Sequence, residues 1–437
     1  MNDQQNFFTN KKFLIYGFGK SGSACFNFLK RKNSLKIYDD NQKNINSRYK
    51  KNKLTLNSLK NYKFDFIFIS PGIDINKCKL KGYLNRNKKK ILSDLDIFYL
   101  NFPKIKKITI TGTNGKSTTS KLLFNVIKAH KKDARLTGNI GNPILLEKNI
   151  KESTIFIIEA SSYQLAYSKF FKSEYSIILN LSPDHLERHG NFNNYVKSKY
   201  KLIKKQEKGN KAFIEKQNIY LNQLIKKDKI NSKIIRVNYK KYFKYFKFIK
   251  NQHFYNKNNL KNLSFIIALS KYFNLNIKKL IKVTNKFKGL NYRQQIVYNS
   301  KKLMVINDSK STSLSSTKNL LQSFENIYWI LGGLAKKGDK FELEDKYFRK
   351  IKAFIYGKDK KFFSKLLNKK IIYKFSQTLR KSIDLIFKDI QEQKSKKKVV
   401  IFSPSAASFD QFKNFEERGK YFNKIIKIYL KKYKNIL

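Results

Sequence analysis

Short apolar runs that end in polar or glycine-rich loops recur along the chain, and stretches with helical spacing of apolar residues separate them. Runs of this length, too short for helices and lacking alternation, read as strands buried on both faces of a parallel sheet. FLIY (Phe13 to Tyr16), Leu35 to Tyr38 and Phe64 to Ile69 form a first set. A second set begins near Asn101 with Ile105 to Ile110, Thr154 to Ile158 and Tyr175 to Leu179, followed by a helix over Tyr195 to Lys205. A third starts near Tyr292 with Met304 to Ile306, Ile327 to Leu331, Ile351 to Ile355 and Val399 to Phe402. The pattern predicts an α/β protein of three domains, 1–100, 101–291 and 292–437, with no solenoid repeat.

A length of 437 residues agrees with about three domains. With 41% hydrophobic and 15% aromatic residues the chain can fill several cores, which excludes a disordered linker. Cys25 and Cys78 are too few for a disulfide framework and lie outside any metal-type spacing. No apolar run reaches 18 residues, so no membrane span is expected, and MNDQQNFFTNKK lacks a secretory apolar region. A cytoplasmic location is the expectation. Charge adds an ambiguity, because 95 Lys and Arg against 30 Asp and Glu give +65. That balance suits a phosphate backbone, but it also suits a chain drifting as a whole toward Lys, Asn, Ile, Phe and Tyr. Lysines occur in every segment, as at Lys88 to Lys90, Lys204 and Lys205, Lys240 and Lys241, and Lys394 to Lys398, with no zinc-finger or arginine-rich motif beside them. No nucleic-acid partner is expected.

Candidate chemistry collects where strands end. After the first strand stands Gly17-Phe18-Gly19-Lys20-Ser21-Gly22, with Asp39 and Asp40 about 20 residues on. Three readings stay open for this turn: a dinucleotide site, the pyrophosphate of another nucleotide conjugate, and a structural turn. Stronger is Thr111-Gly112-Thr113-Asn114-Gly115-Lys116-Ser117-Thr118, between a buried strand and an apolar helix with Leu122, Leu123, Val126 and Ile127. Its backbone N–H groups can cradle phosphate, Lys116 can reach the outer phosphates, and Ser117 can place a hydroxyl on Mg²⁺. Glu159 follows the next strand, and Asp184 and His185 the one after. Mg²⁺ favours oxygen donors, so Glu159 is the better ligand candidate and His185 an additional one. In the third set, Asn307 to Thr312, Leu331 to Lys336 and Ser403 to Ser408 are polar loops able to hold an anionic substrate.

TGTNGKST (Thr111 to Thr118), EASSYQL (Glu159 to Leu165), NLSPDHLERHG (Asn180 to Gly190), NDSKST (Asn307 to Thr312) and SPSAASFDQFKNFEERG (Ser403 to Gly419) together resemble the Mur ligases, ATP-dependent amide-forming enzymes of peptidoglycan synthesis. Within that family they are similar to the branch that adds D-glutamate to UDP-N-acetylmuramoyl-L-alanine. The resemblance implies a Rossmann-like N-terminal domain for the UDP part, a central P-loop ATPase domain with a mostly parallel sheet, and a Rossmann-like C-terminal domain for the amino acid. It implies that Gly19, Lys20, Ser21, Asp39, Asp40, Ser70, Pro71, Gly72, Asn139 and Ser161 bind the UDP substrate. Gly112, Thr113, Asn114, Gly115, Lys116, Ser117, Thr118, Asn259, Asn262, Arg293 and Asp308 would bind ATP. Lys310, Thr312, Lys336, Ser408 and Phe415 would bind D-glutamate. Ser117, Glu159, His185 and Lys199, the last as a carbamate, would hold two Mg²⁺ ions, with Lys116, His185 and Lys199 catalytic. A monomer is implied. Asn258 and Tyr292 stand where the family often has histidine.

Overall fold

The computed structural model describes residues 7–255, 257–336, 341–392 and 397–433; of the basic stretch Lys394 to Lys398, residues 394–396 lie outside these. The chain divides into two compact units, Met1–Phe287 and Lys288–Leu437.

The first unit carries two sheets. One has the order β2-β1-β3-β4, built from β1 (Lys12–Tyr16), β2 (Ser34–Tyr38), β3 (Phe66–Ile69) and β4 (Ile91–Leu92), all parallel. The other comprises β5 (Lys106–Thr111), β6 (Ala134–Gly138), β7 (Ile155–Glu159), β8 (Tyr175–Ile178), β9 (Lys211–Glu215) and β10 (Lys233–Val237). Its order is β10-β9-β8-β5-β7-β6, again parallel throughout. Strands such as FLIY and IFII are apolar without alternation because helices cover both faces. The helix Lys116–Ala129 buries Leu122, Leu123, Val126 and Ile127 against the second sheet. Its start therefore lies at the carboxyl end of β5, with β7 and β8 on either side.

A buried carboxylate joins the two sheets. Ser93 and Asp96 form a reciprocal capping box at the helix Asp94–Asn101. Asp96 also accepts hydrogen bonds from the Ser168 hydroxyl and the N–H groups of Lys169, Phe170 and Phe171, at 2.7–3.1 Å. Next to it, Gln164 Nε2 donates to the buried Asp94, whose carboxyl burial pushes up to about 6.

In the second unit the sheet order is β11-β12-β16-β13-β14-β15. The strands are β11 (Gln295–Asn299), β12 (Leu303–Asn307), β13 (Ile327–Gly332), β14 (Ile351–Tyr356), β15 (Ile372–Phe375) and β16 (Lys398–Phe402). Only β11 is antiparallel. The neighbours β12, β16 and β13 release Asn307 to Thr312, Ser403 to Ser408 and Gly332 to Lys336 at the same edge.

The sequence pattern located the most apolar strands and missed β4, β6, β9, β10, β11 and β15. Lysine or arginine interrupts β6 (ARLTG), β10 (KIIRV) and β15 (IYKF), β9 (KAFIE) has only three apolar residues, and β10, β11 and β15 are half-exposed edges. Partial exposure relaxes the demand for continuous apolar residues.

Candidate functional site

The glycine-rich loop is held by the segment after β8. Thr113 N–H donates to the Asn180 carbonyl at 2.9 Å, Asn114 N–H to Asn180 Oδ1 at 2.8 Å, and Asn180 Nδ2 back to the Asn114 carbonyl at 2.9 Å. Ser182 N–H donates to Thr113 Oγ1, whose oxygen also meets the Tyr195 hydroxyl at 3.0 Å. Gly115 has φ +82°, and a Cβ there would fall 2.0 Å from Asn262 Nδ2, so glycine is required twice over. The buried Asn262 side chain thus lies directly against the loop, while Asn259 Nδ2 donates to the His253 carbonyl at 2.5 Å. Lys116 Nζ curls over the loop and donates to the carbonyls of Gly112 and Thr113 at 2.9 and 2.8 Å.

Two oxygens beside this loop are fully buried without a hydrogen-bond partner: Ser117 Oγ and Glu159 Oε2. Glu159 is the last residue of β7, paired with Ile110, and not a solvent-exposed acid beyond the strand. Its Oε1 accepts from Asn139 Nδ2 at 2.8 Å, and Asn139 N–H donates to the Glu159 carbonyl. Lys199, 1% exposed, donates to Thr111 Oγ1 at 3.2 Å and the Gly112 carbonyl at 3.0 Å, with Nζ 4.6 Å from the Tyr195 ring centre. Burial, reinforced by Lys116, depresses its ammonium well below the usual lysine range, against the pull of Asp184 and Glu159. Lys197, two positions earlier on the same helix, is exposed.

His185 occupies the left-handed region at φ +53°, next to Asp184 (Nε2 to Oδ2, 3.5 Å) and Glu187 (Nδ1 to Oε1, 3.8 Å). Its ring packs on Tyr163 at 4.9 Å. His189 meets the Ser162 hydroxyl at 3.0 Å and is held below the usual histidine range by burial, with His185, Lys199 and Arg188 adding to the effect. Among the described residues no group of three or more His, Cys, Asp or Glu side chains forms a ready-made metal cage.

In the first sheet each glycine of the turn has its own reason. Gly17 (φ +86°) packs on Ser70, whose hydroxyl donates to the Gly17 carbonyl at 2.6 Å. A Cβ on Gly22 would lie 2.0 Å from that same carbonyl, whereas Gly19 faces open space at the start of the helix Lys20–Leu29. Close packing at the outer glycines and room for a ligand at the middle one match the phosphate-binding design. Lys20 is exposed and Ser21 partly so. Asp39 is engaged in bracing the turn, accepting from the N–H groups of Phe18 (2.7 Å) and Asn41 (2.9 Å) and from Asn44 Nδ2. Asp40 accepts from the Tyr16 hydroxyl at 2.8 Å. Ser161 caps the helix Ser162–Tyr167 through Gln164. Pro71 and Gly72 present carbonyls to Arg188.

In the second unit Asp308 is buried, accepting from Gln294 N–H and the Ser403 hydroxyl, both at 3.1 Å. Burial pushes its carboxyl up to about 7, opposed by those two bonds and by Arg293. Arg293 lies between two left-handed residues, Tyr292 (φ +61°) and Gln294 (φ +46°). Lys310 Nζ lies 4.5 Å from the Phe415 ring centre. Ser408 is buried, while Thr312 and Lys336 are exposed.

Comparison with known proteins adds to this geometry. Residues 110–291 match the Mur ligase middle domain. Across 97% of this chain and 98% of the relative, the sequence is 31% identical to the UDP-N-acetylmuramoylalanine--D-glutamate ligase of Rickettsia felis. It is 36% identical to the ligase of the same name from Buchnera aphidicola subsp. Schizaphis graminum, over 97% and 99%. The chain belongs to the Mur ligase family. Its fold is also that of more distant solved members. The MurF ligase of Thermotoga maritima in complex with ADP superposes with TM-score 0.57 at 14% identity, covering 98% of this chain and 100% of that one. For the UDP-N-acetylmuramate-alanine ligase of the same organism the values are 0.56, 17%, 96% and 100%.

Residue-by-residue reading missed two arginines of this Mur ligase. Arg188 joins the segment after β8 to the first sheet. It donates to the Pro71, Gly72 and Ile73 carbonyls and the Tyr167 hydroxyl, and lies over the Tyr163 ring. Arg418, fully buried, donates to Ser309 Oγ, the Ser309 carbonyl and the Ala406 carbonyl at 2.7–3.1 Å. It thus ties two of the three polar loops of the second unit together. Both stand inside quoted motifs, ERHG and EERG, but nothing in the local sequence separates a buried arginine from a surface one in a chain with 95 basic residues.

Proposed function

We propose that this Mur ligase uses ATP to join D-glutamate to the alanyl carboxylate of UDP-N-acetylmuramoyl-L-alanine, releasing ADP and phosphate, as a step in making peptidoglycan precursor. The observation that carries the ATP-dependent part is the glycine-rich loop at the end of β5. There a lysine at the loop, a second buried lysine and two orphaned buried oxygens converge. The choice of D-glutamate and of the UDP substrate is supported by the relatives that bear those names along nearly the whole chain.

A carboxylate is a poor acceptor for an amine because its oxygen leaves badly. Transfer of the γ-phosphoryl group to one carboxylate oxygen gives an acyl phosphate, which the amine of D-glutamate then attacks with loss of inorganic phosphate. Lys116 would swing from the Gly112 and Thr113 carbonyls to the phosphates of ATP and offset their charge. The N–H groups at the start of the helix Lys116–Ala129 would hold the phosphate tail. Asn262 and Asn259 would meet the adenine side, and Arg293 and Asp308 would bind ATP. For Mg²⁺, Ser117 Oγ and Glu159 Oε2 are fitting donors, being hard, buried and unpartnered. Bound there, with His185 and Lys199, Mg²⁺ would supply positive charge beside the phosphates. Asn139 would keep Glu159 turned toward that position through its 2.8 Å bond.

Lys199 as a free ammonium would oppose a nearby cation. Its depressed ammonium favours a neutral amine, which can add to the carbon of dissolved CO₂ and release one proton. The resulting carbamate carries a negative charge and oxygen donors. Lys310, Thr312, Lys336, Ser408 and Phe415 would hold D-glutamate. Gly19, Lys20, Ser21 and Ser70 to Gly72 would face the UDP part, with Asp39 and Asp40 shaping that turn.

Phosphate release from ATP with UDP-N-acetylmuramoyl-L-alanine, while D-glutamate, L-glutamate, L-lysine and diaminopimelate are exchanged, tests this reading. Release that depends on D-glutamate alone supports it; release with lysine or diaminopimelate in its place overturns the assignment.

A further inference from the structure

No aspartate or glutamate occurs between Asp228 and Asp308. Inside that interval, Tyr239 to Tyr255 reads YKKYFKYFKFIKNQHFY. A 3₁₀ turn, Tyr239–Tyr242, runs directly into a helical turn, Phe243–Phe246, so the segment has two faces. Its inner face packs Tyr242, Tyr245, Phe246, Ile249 and Phe254 on the core of the central sheet. Its outer face exposes Lys240, Lys241, Lys244, Lys247 and Lys250. Among those lysines stand three aromatic side chains held partly in solvent: Phe243 at 53%, Phe248 at 52% and Tyr255 at 67% exposure. None of the five lysines forms an ion pair among the described residues.

An ordinary solvated face has charge without large apolar rings, and an ordinary protein interface has rings with few lysines. Rings set within a field of lysines suit a surface that is apolar just below a layer of negative charge. We propose that residues 239–255 dock the protein on an anionic lipid bilayer. Phe243, Phe248 and Tyr255 enter the boundary between headgroups and acyl chains, and the five lysines lie over lipid phosphates. This inference does not depend on the ligase reading. A single-stranded nucleic acid is the less fitting polyanion, because it needs open ring faces for its bases. Lys247 Nζ already lies 5.2 Å from the centre of the Phe248 ring, and Phe243 meets Tyr239 edge-to-face at 5.6 Å and the tilted Phe246 ring at 5.9 Å.

The test is co-sedimentation of the full chain with vesicles of phosphatidylglycerol and phosphatidylcholine, or of phosphatidylcholine alone, at about 150 mM salt. Because the whole chain is basic, the decisive variants separate this patch from general charge. F243S/F248S keeps every charge, and K240E/K244E/K247E reverses three within the patch. K278E/K279E/K282E reverses three exposed lysines on the helix Ile277–Asn285. The parent should bind only the anionic vesicles. The first two variants should lose about tenfold or more in partitioning, and the third at most about threefold. F243S/F248S should retain the parent's ellipticity and its ATP turnover without vesicles. Failure of the parent to sediment, equal loss for both lysine triplets, or no loss for F243S/F248S would overturn the proposal. Loss of single-stranded DNA binding in F243S/F248S with vesicle binding intact would overturn it in favour of nucleic acid.

Discussion

Replacing Gly115 by alanine should strain the phosphate loop in two separable ways. At φ +82° the backbone lies in the left-handed region, which costs a residue with a Cβ about 1–2 kcal/mol. The new Cβ would also lie 2.0 Å from Asn262 Nδ2 and 2.9 Å from its Cγ. Asn262 is only 7% exposed and sits on the helix Lys257–Ser270, so its amide must leave a packed rotamer for about 0.5–1.5 kcal/mol more. Gly115→Ala should therefore destabilise the first unit by about 1.5–3.5 kcal/mol, the sum of these two costs. Urea titration followed by far-ultraviolet ellipticity measures the total, and a double-mutant cycle with Asn262→Ala separates the parts. Asn262→Ala should cost about 1 kcal/mol less in the Gly115→Ala background than in the parent, since in that background the same substitution also removes the clash. Additive costs would refute the claim that Asn262 is seated against the loop.

Lys199→Ala should be nearly inactive and regain measurable turnover with acetate or formate, while Lys197→Ala stays close to the parent; full activity of Lys199→Ala in CO₂-depleted buffer would remove it from the chemistry. The Asp308 carboxyl rises from 3.8 to about 7 on folding, so its contribution to stability is complete below pH 4 and is lost as pH rises through 7. Asp308→Asn should thus gain on the parent by about 2–3 kcal/mol between pH 5 and pH 8, read from parallel denaturation curves; a constant difference would show that Asp308 is ionised throughout. Lys336→Ala and Ser408→Ala should raise the KM for D-glutamate more than that for ATP, and equal effects on both would move them out of the amino-acid pocket.

The parts of the fold most legible in the sequence are those under the strictest burial. β1, β5, β7, β12 and β13 stand out because parallel strands covered on both sides tolerate few polar residues. β9 lies inside its sheet, yet only Ala212, Phe213 and Ile214 are buried, too short a run to register among lysines. The glycine-rich loop was readable because φ +82° and a close Asn262 leave a side chain no room at Gly115. The supports of the candidate site were not readable. Asn139 bonds to Glu159 across 20 positions, Arg188 to Gly72 across 116, and Arg418 to Ser309 across 109. Such pairs are made by topology and leave no local spacing. Lys199 shows the same limit: YVKSKYKL offers several lysines, and only the packing of its helix on the sheet buries one at the Gly112 carbonyl.

The most direct measurement uses UDP-N-acetylmuramoyl-L-alanine labelled with ¹⁸O in its alanyl carboxylate, incubated with ATP, Mg²⁺ and D-glutamate, with the released phosphate analysed by mass. An acyl-phosphate route moves one carboxylate oxygen onto each phosphate, so ¹⁸O should appear in phosphate in step with amide formation and should depend on D-glutamate. Amide formation accompanied by unlabelled phosphate would contradict it.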